Sequence, residues 1–401
     1  MHSTIGNYLA TFLWFITGNV FALDPGRQSY TDMLNRLENY HSSTCQIIFN
    51  EHYTCSGVLI NNTKDQGRPL ILTAAHCIEG EADLNSVVVV FGKRRLLKDQ
   101  AYTGLEWRST GATLLSSSKE IDFALLELKS RIPIYVAPIY LGWNKQITQP
   151  KLIYSIHSPE FEDAQYSFSI AKPSLATFGG LYNTVDFGHW RVDQWAQGAT
   201  SPGSSGAPLL NSNFEIIGGL SGSTDWPEYK SDYFFRFDLA YDHFNNTNNQ
   251  LKAWIDPDNS ADLGHYQSTQ KIKNYTFTSS VTETVKLVNG VMITEEFSVS
   301  EHSKINGVYI TAGEMSDNSD ATMAIVVSQN GSELHVQKIN TLELSQFSEN
   351  YIPFVAPLLV NGNFSISLRF KSAEPSAYIS IPKMGMSKLI SYFIAFNSSK
   401  P

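Results

Sequence analysis

From residue 45 onward the chain alternates short apolar runs with turn-forming residues. "CSGVLI" (55–60), "PLILTA" (69–74), "SVVVVFG" (86–92) and "DFALLEL" (122–128) have the length and bulk of strands. "NFEIIGGLSGS" (213–223) and "SDYFFRFDL" (231–239) continue the pattern. In "NFSISLRF" the period of two is strict. Phe364, Ile366, Leu368 and Phe370 share one face, and Ser365, Ser367 and Arg369 share the other. Asn-Gly pairs at 289–290, 330–331 and 361–362 lie beside such runs and suit type I′ hairpin turns. Helical spacing is rare. "SYTDMLNRLENY" (29–40) aligns Leu34 with Leu37 and offers Thr31 or Asp32 as a cap, and "LKAWI" aligns Leu251, Trp254 and Ile255. The pattern predicts an all-β protein whose second β-rich block starts near residue 268.

At 401 residues the chain exceeds one ordinary core, and 42% hydrophobic residues suffice for two. A formal charge of −9, with no run of Lys and Arg, argues against a nucleic-acid surface. Residues Tyr8–Ala22 are largely apolar but too short to span a bilayer, and Val20 and Ala22 have the spacing of a signal-peptidase site. The expectation is a signal peptide over 1–22, export to the periplasm or beyond, and an arm or propeptide over 23–44. No later stretch is long enough for a transmembrane helix. Export permits a disulfide, but with Cys45, Cys55 and Cys77 the count is odd and the pairing stays open. Asn61, Asn245, Asn274, Asn330, Asn363 and Asn397 each open an N-x-S/T triplet.

Three segments suggest chemistry. "TSPGSSGAPLL" (200–210) puts two serines between glycines, which permits a tight turn with inward-pointing amides. "ILTAAHC" (71–77) ends a strand at His76, and "EIDFALLEL" (120–128) places Asp122 directly before an apolar strand. Each alone is an ordinary polar residue at a strand end. Together, in His…Asp…Ser order, they form the set that nucleophilic serine catalysis needs: a hydroxyl, a base and a carboxylate that orients the base.

"CSGVLINN…LTAAHC", "IDFALLEL" and "SPGSSGAPLLN…IIGGLSGS" resemble the chymotrypsin-fold serine proteases. The whole of "CSGVLINNTKDQGRPLILTAAHC", with "SIHSPEFEDAQYSFSI", "SDYFFRF" and "LKAWIDPDN", is similar to bacterial lysyl endopeptidases. The resemblance covers about residues 45–262. It implies a double β-barrel of the chymotrypsin type with the active site between barrels, and a protease domain over 45–265. In that reading His76 is the general base, Asp122 its orienter and Ser205 the nucleophile. The amides of Gly203 and Ser205 form the oxyanion hole, and Cys55 pairs with Cys77. Such a bridge stabilises by roughly 3 kcal/mol, and Cys45 is left without a role. Ser204 stands where digestive trypsin-like enzymes carry an aspartate that pairs with a freshly cut N-terminus, so that activation route is not expected.

The same resemblance places Asp232 at the floor of the substrate pocket, where a buried carboxylate favours Lys or Arg before the scissile bond. Ser221, Gly222 and Ser223 form one wall, and Asp225 is a rival carboxylate. The expected partners are proteins or peptides; no cofactor or metal is expected. Residues 268–401 look like the jelly-roll modules appended to secreted hydrolases. Their expected role is to attach to a surface, polysaccharide or protein, or to add stability. Two other classes stay open. "GSSGA" approaches the G-x-S-x-G of α/β-hydrolase esterases, but those need the histidine after the serine. A non-catalytic binding protein on the same fold is the third reading.

Overall fold

The computed structural model describes residues 33 and 36–396, apart from 65–66, 80–82, 93–105, 134–135, 161, 180–184, 227–228, 262–264, 267–268, 274–280, 317–319, 347 and 385–389. The expected signal peptide, the first part of the expected arm, and Asn274 and Asn397 therefore lie outside the described residues. The protein is all-β, with two curled antiparallel sheets of the chymotrypsin type followed by a sandwich.

The first sheet has seven strands in the order Trp107–Thr110, Val88–Phe91, Thr44–Phe49, Tyr53–Leu59, Leu70–Thr73, Phe123–Leu128, Ala112–Ser118. Its two edge strands are consecutive in the chain, separated only by Gly111. The sheet must therefore curl until its edges meet. Gly111 makes that corner with φ +87°, where a Cβ would also lie 2.9 Å from the Lys129 side chain. The second sheet runs Gln165–Ser169, Ile153–His157, Pro208–Leu210, Ile216–Trp226, Tyr229–Arg236, His189–Val192, Ser174–Ala176. Its edge strands are also consecutive, and the Phe168–Gln197 bridge helps close it.

The apolar runs are continuous because both faces of these strands are buried. Ile71, Leu126 and Leu128 point into the first barrel with Ile47, Val89 and Phe91. Leu70, Leu72, Phe123 and Leu125 point the other way, into a core shared with Tyr154, Ile156, Leu210, Ile216 and Phe235 of the second barrel. The short helices Phe237–Asp242 and Lys252–Ile255 cap that shared core through Phe237, Tyr241 and Ile255. Leu37, from the described part of the expected arm, is fully buried there, and Tyr40 stacks on Phe214 at 4.0 Å.

The C-terminal block packs a seven-stranded sheet against the pair Val281–Val288 and Tyr378–Met384. Phe364, Ile366, Leu368 and Phe370 are all buried in the core between them, as their alternation requires. Only one Asn-Gly pair makes a hairpin. Asn330 and Gly331, with φ of 53° and 78°, join the paired strands Thr322–Gln329 and Ser332–Asn340. Gly362 instead lies within the strand Ser348–Lys371, beside a break in its pairing register. The 289–290 pair turns the chain from one sheet of the sandwich to the other, with Asn289 bonded to Ser372. One sheet also crosses the expected boundary near residue 268. Gln270 and Lys271 pair with Tyr140 and Ile139, so a strand from the barrel region ends the sandwich's seven-stranded sheet.

Candidate active site

Strand register brings the first two candidates together. Thr73 pairs with Ala124. His76, three residues past one strand, and Asp122, just before its antiparallel neighbour, must then emerge at the same end of the sheet. His76 sits in the 3-10 turn Ala75–Ile78, which the Cys55–Cys77 disulfide ties to the strand Tyr53–Leu59. Cys45 is a free, buried thiol whose pKa is raised by desolvation.

Asp122 is buried and holds φ at +66°, a left-handed conformation that costs a non-glycine residue about 1 kcal/mol or more. That turn makes Asp122 bond the histidine segment three ways. Its carbonyl accepts from the Ala75 amide at 3.1 Å, Oδ1 accepts from the His76 amide at 2.9 Å, and Oδ2 lies 3.0 Å from His76 Nδ1. A carboxylate there selects the tautomer with the proton on Nδ1, leaving Nε2 as a base.

Within electrostatic reach of Asp122 lies a second imidazole that sequence reading did not single out. His189 is fully buried, and neither ring nitrogen has a hydrogen bond among the described residues. Burial lowers its pKa to about 4, against the opposing pull of the Asp122 charge.

The serine loop is pressed against the same strand end. The Ser205 carbonyl accepts from the Ser56 amide at 2.7 Å. At Gly206, with φ +81°, a Cβ would lie 2.2 Å from Thr73 Oγ1 and 2.9 Å from the Ala74 amide nitrogen. Gly203, with φ +88°, is equally confined, since a Cβ there would lie 2.4 Å from the Glu160 amide nitrogen. The glycines are thus required for closeness as well as for turning. The half-buried Ser205 hydroxyl makes no hydrogen bond to His76 among the described residues, and such bonds are often long in unliganded enzymes.

The loop uses its amides selectively. Ser204 donates to the Ser201 carbonyl at 2.9 Å, Gly206 to Leu220 at 2.7 Å and Ala207 to Ser204 at 3.0 Å. Pro202 has no N–H. The amides of Gly203 and Ser205 have no acceptor among the described residues, which is the pair that an oxyanion site requires.

Asp232 is buried in the second barrel, where His189–Val192 and Ile216–Trp226 flank its strand. Trp195 Nε1 and Thr200 Oγ1 donate to Oδ2 at 2.6 and 2.8 Å, and Ser223 Oγ donates to Oδ1 at 2.5 Å. All three donors are neutral, so they orient the carboxylate without cancelling its charge. One ammonium lies close by: Lys230 Nζ bonds the Thr200 carbonyl at 2.5 Å. Ser223 thus bonds this carboxylate directly. Ser221, at a break in the register of the Ile216–Trp226 strand, has a buried hydroxyl with no hydrogen bond among the described residues. Gly222 runs beside Phe178, 3.0 Å from where its Cβ would stand. The Asp225 side chain lies outside the described residues, and its backbone pairs with Lys230.

Cys55, His76 and Cys77 are the described His, Cys and acidic groups close enough together to hold a metal ion. The disulfide consumes both sulfurs, so this trio cannot serve as a ligand set.

Two closed barrels with a His–Asp pair and a glycine-flanked serine in the cleft define the chymotrypsin-type serine-peptidase architecture. Within that class the chain belongs to the family described as lysyl endopeptidase, C-terminal domain, whose model matches residues 29–235. It is similar to the lysyl endopeptidase of Pseudomonas aeruginosa, with 30% identity over 209 residues that cover 47% of this chain and 42% of that protein. The chain thus spans less than half the length of this relative. Among solved structures it is similar to the MamO protease domain from Magnetospirillum magneticum, at 11% identity, 52% of this chain, 100% of that one and a TM-score of 0.38. It is also similar to the Rv3671c protease from M. tuberculosis, at 15% identity, 58% and 92% coverage and a TM-score of 0.36.

Proposed function

We propose that this chain is a secreted serine endopeptidase that cleaves after Lys or Arg. The observation that carries the reading is the engagement of Asp122 with both the amide and the ring of His76, beside a loop with two unused amides. His76 Nε2 takes the Ser205 hydroxyl proton as Oγ attacks the substrate carbonyl. The amides of Gly203 and Ser205 receive the oxyanion, and His76 returns the proton to the departing amine. Water then repeats the sequence on the acyl-enzyme, restoring Ser205.

Asp232 supports the basic preference. A buried carboxylate with only neutral donors gains most from a ligand that brings a full positive charge. Export agrees with the disulfide, which persists in oxidising compartments. Among the described residues no helix is long and apolar enough to cross a membrane.

A fluorophosphonate probe is expected to label the chain at Ser205, and Ser205→Ala to abolish labelling. Absence of labelling in the native protein would favour the binding-protein reading. On chromogenic peptides, Lys or Arg before the reporter should be cleaved and Glu should not. Asp232→Ala should lower kcat/KM for the basic substrates at least about 100-fold. Equal cleavage of all three peptides would remove the pocket assignment.

A further inference from the structure

Ser204 and His157 are both fully buried, and their side chains meet behind the nucleophile. Ser204 Oγ accepts the Ser201 amide at 3.1 Å and lies 2.9 Å from His157 Nδ1. His157 Nε2 is 3.1 Å from Ser167 Oγ, which is also fully buried. A hydroxyl has one proton, and the Ser201 amide already donates to Oγ. In the neutral tautomer that uses Ser204 as donor, its proton goes to Nδ1, and Nε2 carries the ring's own proton, donated to Ser167. A neutral imidazole satisfies every bond in this chain. A doubly protonated ring would leave the Ser204 proton without an acceptor. Burial, aided by the Lys230 charge, holds the His157 pKa down at about 4.

His157 ends the strand Ile153–His157, and the residues after it form the back of the serine loop. The Ser158 amide donates to Ser56 Oγ at 2.9 Å, the Pro159 carbonyl accepts from Gln46, and the Glu160 amide donates to the Pro202 carbonyl at 2.9 Å. Ser204 lies between the two residues whose amides are unused. Its Cα joins the peptide plane that carries the Ser205 N–H to the one before it, and its Oγ, bonded to the Ser201 amide, closes the turn that carries the Gly203 N–H.

We propose that His157 is a positioning residue for the oxyanion site: as a neutral acceptor for the Ser204 hydroxyl, it holds the Gly203 and Ser205 amides convergent. This rests on the serine-peptidase reading. The turn is then held by uncharged partners already inside the fold. The side chain at 204 needs no ammonium group from a cut terminus.

The test uses the full chain with three variants: His157→Phe, His157→Gln and Ser204→Ala. The probes are a Lys or Arg chromogenic peptide, a peptide aldehyde whose adduct places an oxyanion in the site, and benzamidine, which occupies only the basic pocket. His157→Phe and Ser204→Ala should each lower kcat about 10- to 100-fold. They should weaken aldehyde inhibition by a similar factor, with KM and benzamidine affinity within about twofold. His157→Gln, which offers both an acceptor and a donor, should restore most of the loss. Imidazole nitrogen shifts at about pH 6 should report His157 as the neutral Nε2–H tautomer.

If His157→Phe does not fold, Ser204→Ala, which adds no bulk, decides the matter. The proposal is overturned by a folded Ser204→Ala that keeps native kcat and aldehyde affinity, by equal losses for aldehyde and benzamidine, or by the opposite tautomer. A native chain that neither cleaves peptide nor labels with fluorophosphonate would bring down the peptidase reading itself. An active native chain with unimpaired variants brings down only this one.

Discussion

Asp122 makes the sharpest demand of any single residue. Its left-handed φ and three contacts to the histidine segment depend on one carboxylate. Asp122→Asn should fold, because asparagine tolerates that conformation, yet lower kcat about 10⁴-fold by upsetting the tautomer of His76. Melting and steady-state kinetics on the same sample check both halves. The buried histidines give a pH signature. His157 and His189 titrate near 4 in the fold, against 6.5 in an exposed chain. Above about pH 6.5 both are neutral folded or unfolded, and they cost nothing. Below it the unfolded chain binds protons that the fold refuses, so stability falls toward pH 4, by roughly 3 kcal/mol for each histidine. Urea midpoints measured between those limits should fall with pH, and less steeply for His189→Phe. His76 and Asp122 stood out because they sit in a His…Asp…Ser order within motifs that resemble a known family. His157 and Trp195 belong to no such catalytic pattern, and their partners lie 47 and 37 residues away.

At the scale of elements, glycines separate into those that only turn and those that also make room. Gly331 holds φ +78° with open space around its missing Cβ, so Gly331→Ala should cost only the backbone term, about 1–2 kcal/mol. Gly206 holds a similar φ but faces Thr73 and Ser56 at contact distance. Gly206→Ala should cost more than Gly331→Ala and also displace Ser205, so kcat should fall with the melting temperature. Local pattern announced the strand "NFSISLRF" correctly, since alternation is a property of the segment itself. It overstated the Asn-Gly pairs: a turn-prone dipeptide does not specify which strands pair, and two of the three pairs serve as a strand irregularity and an inter-sheet corner.

For the whole molecule, the expected boundary near residue 268 is bridged by backbone pairing and by side chains. Tyr309 and Tyr351 pack in the first barrel's core with Tyr140 and Val136, and Arg131 lies 5.0 Å over the Tyr351 ring. Tyr351→Ala, on the sandwich, should therefore lower the melting temperature of the peptidase barrels, read by loss of peptide cleavage during heating. Retention of the native inactivation temperature would argue that the contact carries no load. None of this was legible from periodicity, because pairing between residues 139–140 and 270–271 is set by the global path of the chain.

The strand Ile139–Tyr140 has a practical consequence for anyone who shortens the protein. Cutting near residue 262 would strip away the neighbour that covers its backbone edge and uncover the tyrosine-lined face beside it. An open edge beside an apolar patch invites another copy to fill the gap. Such a fragment should form oligomers and precipitate at concentrations where the intact chain stays dispersed.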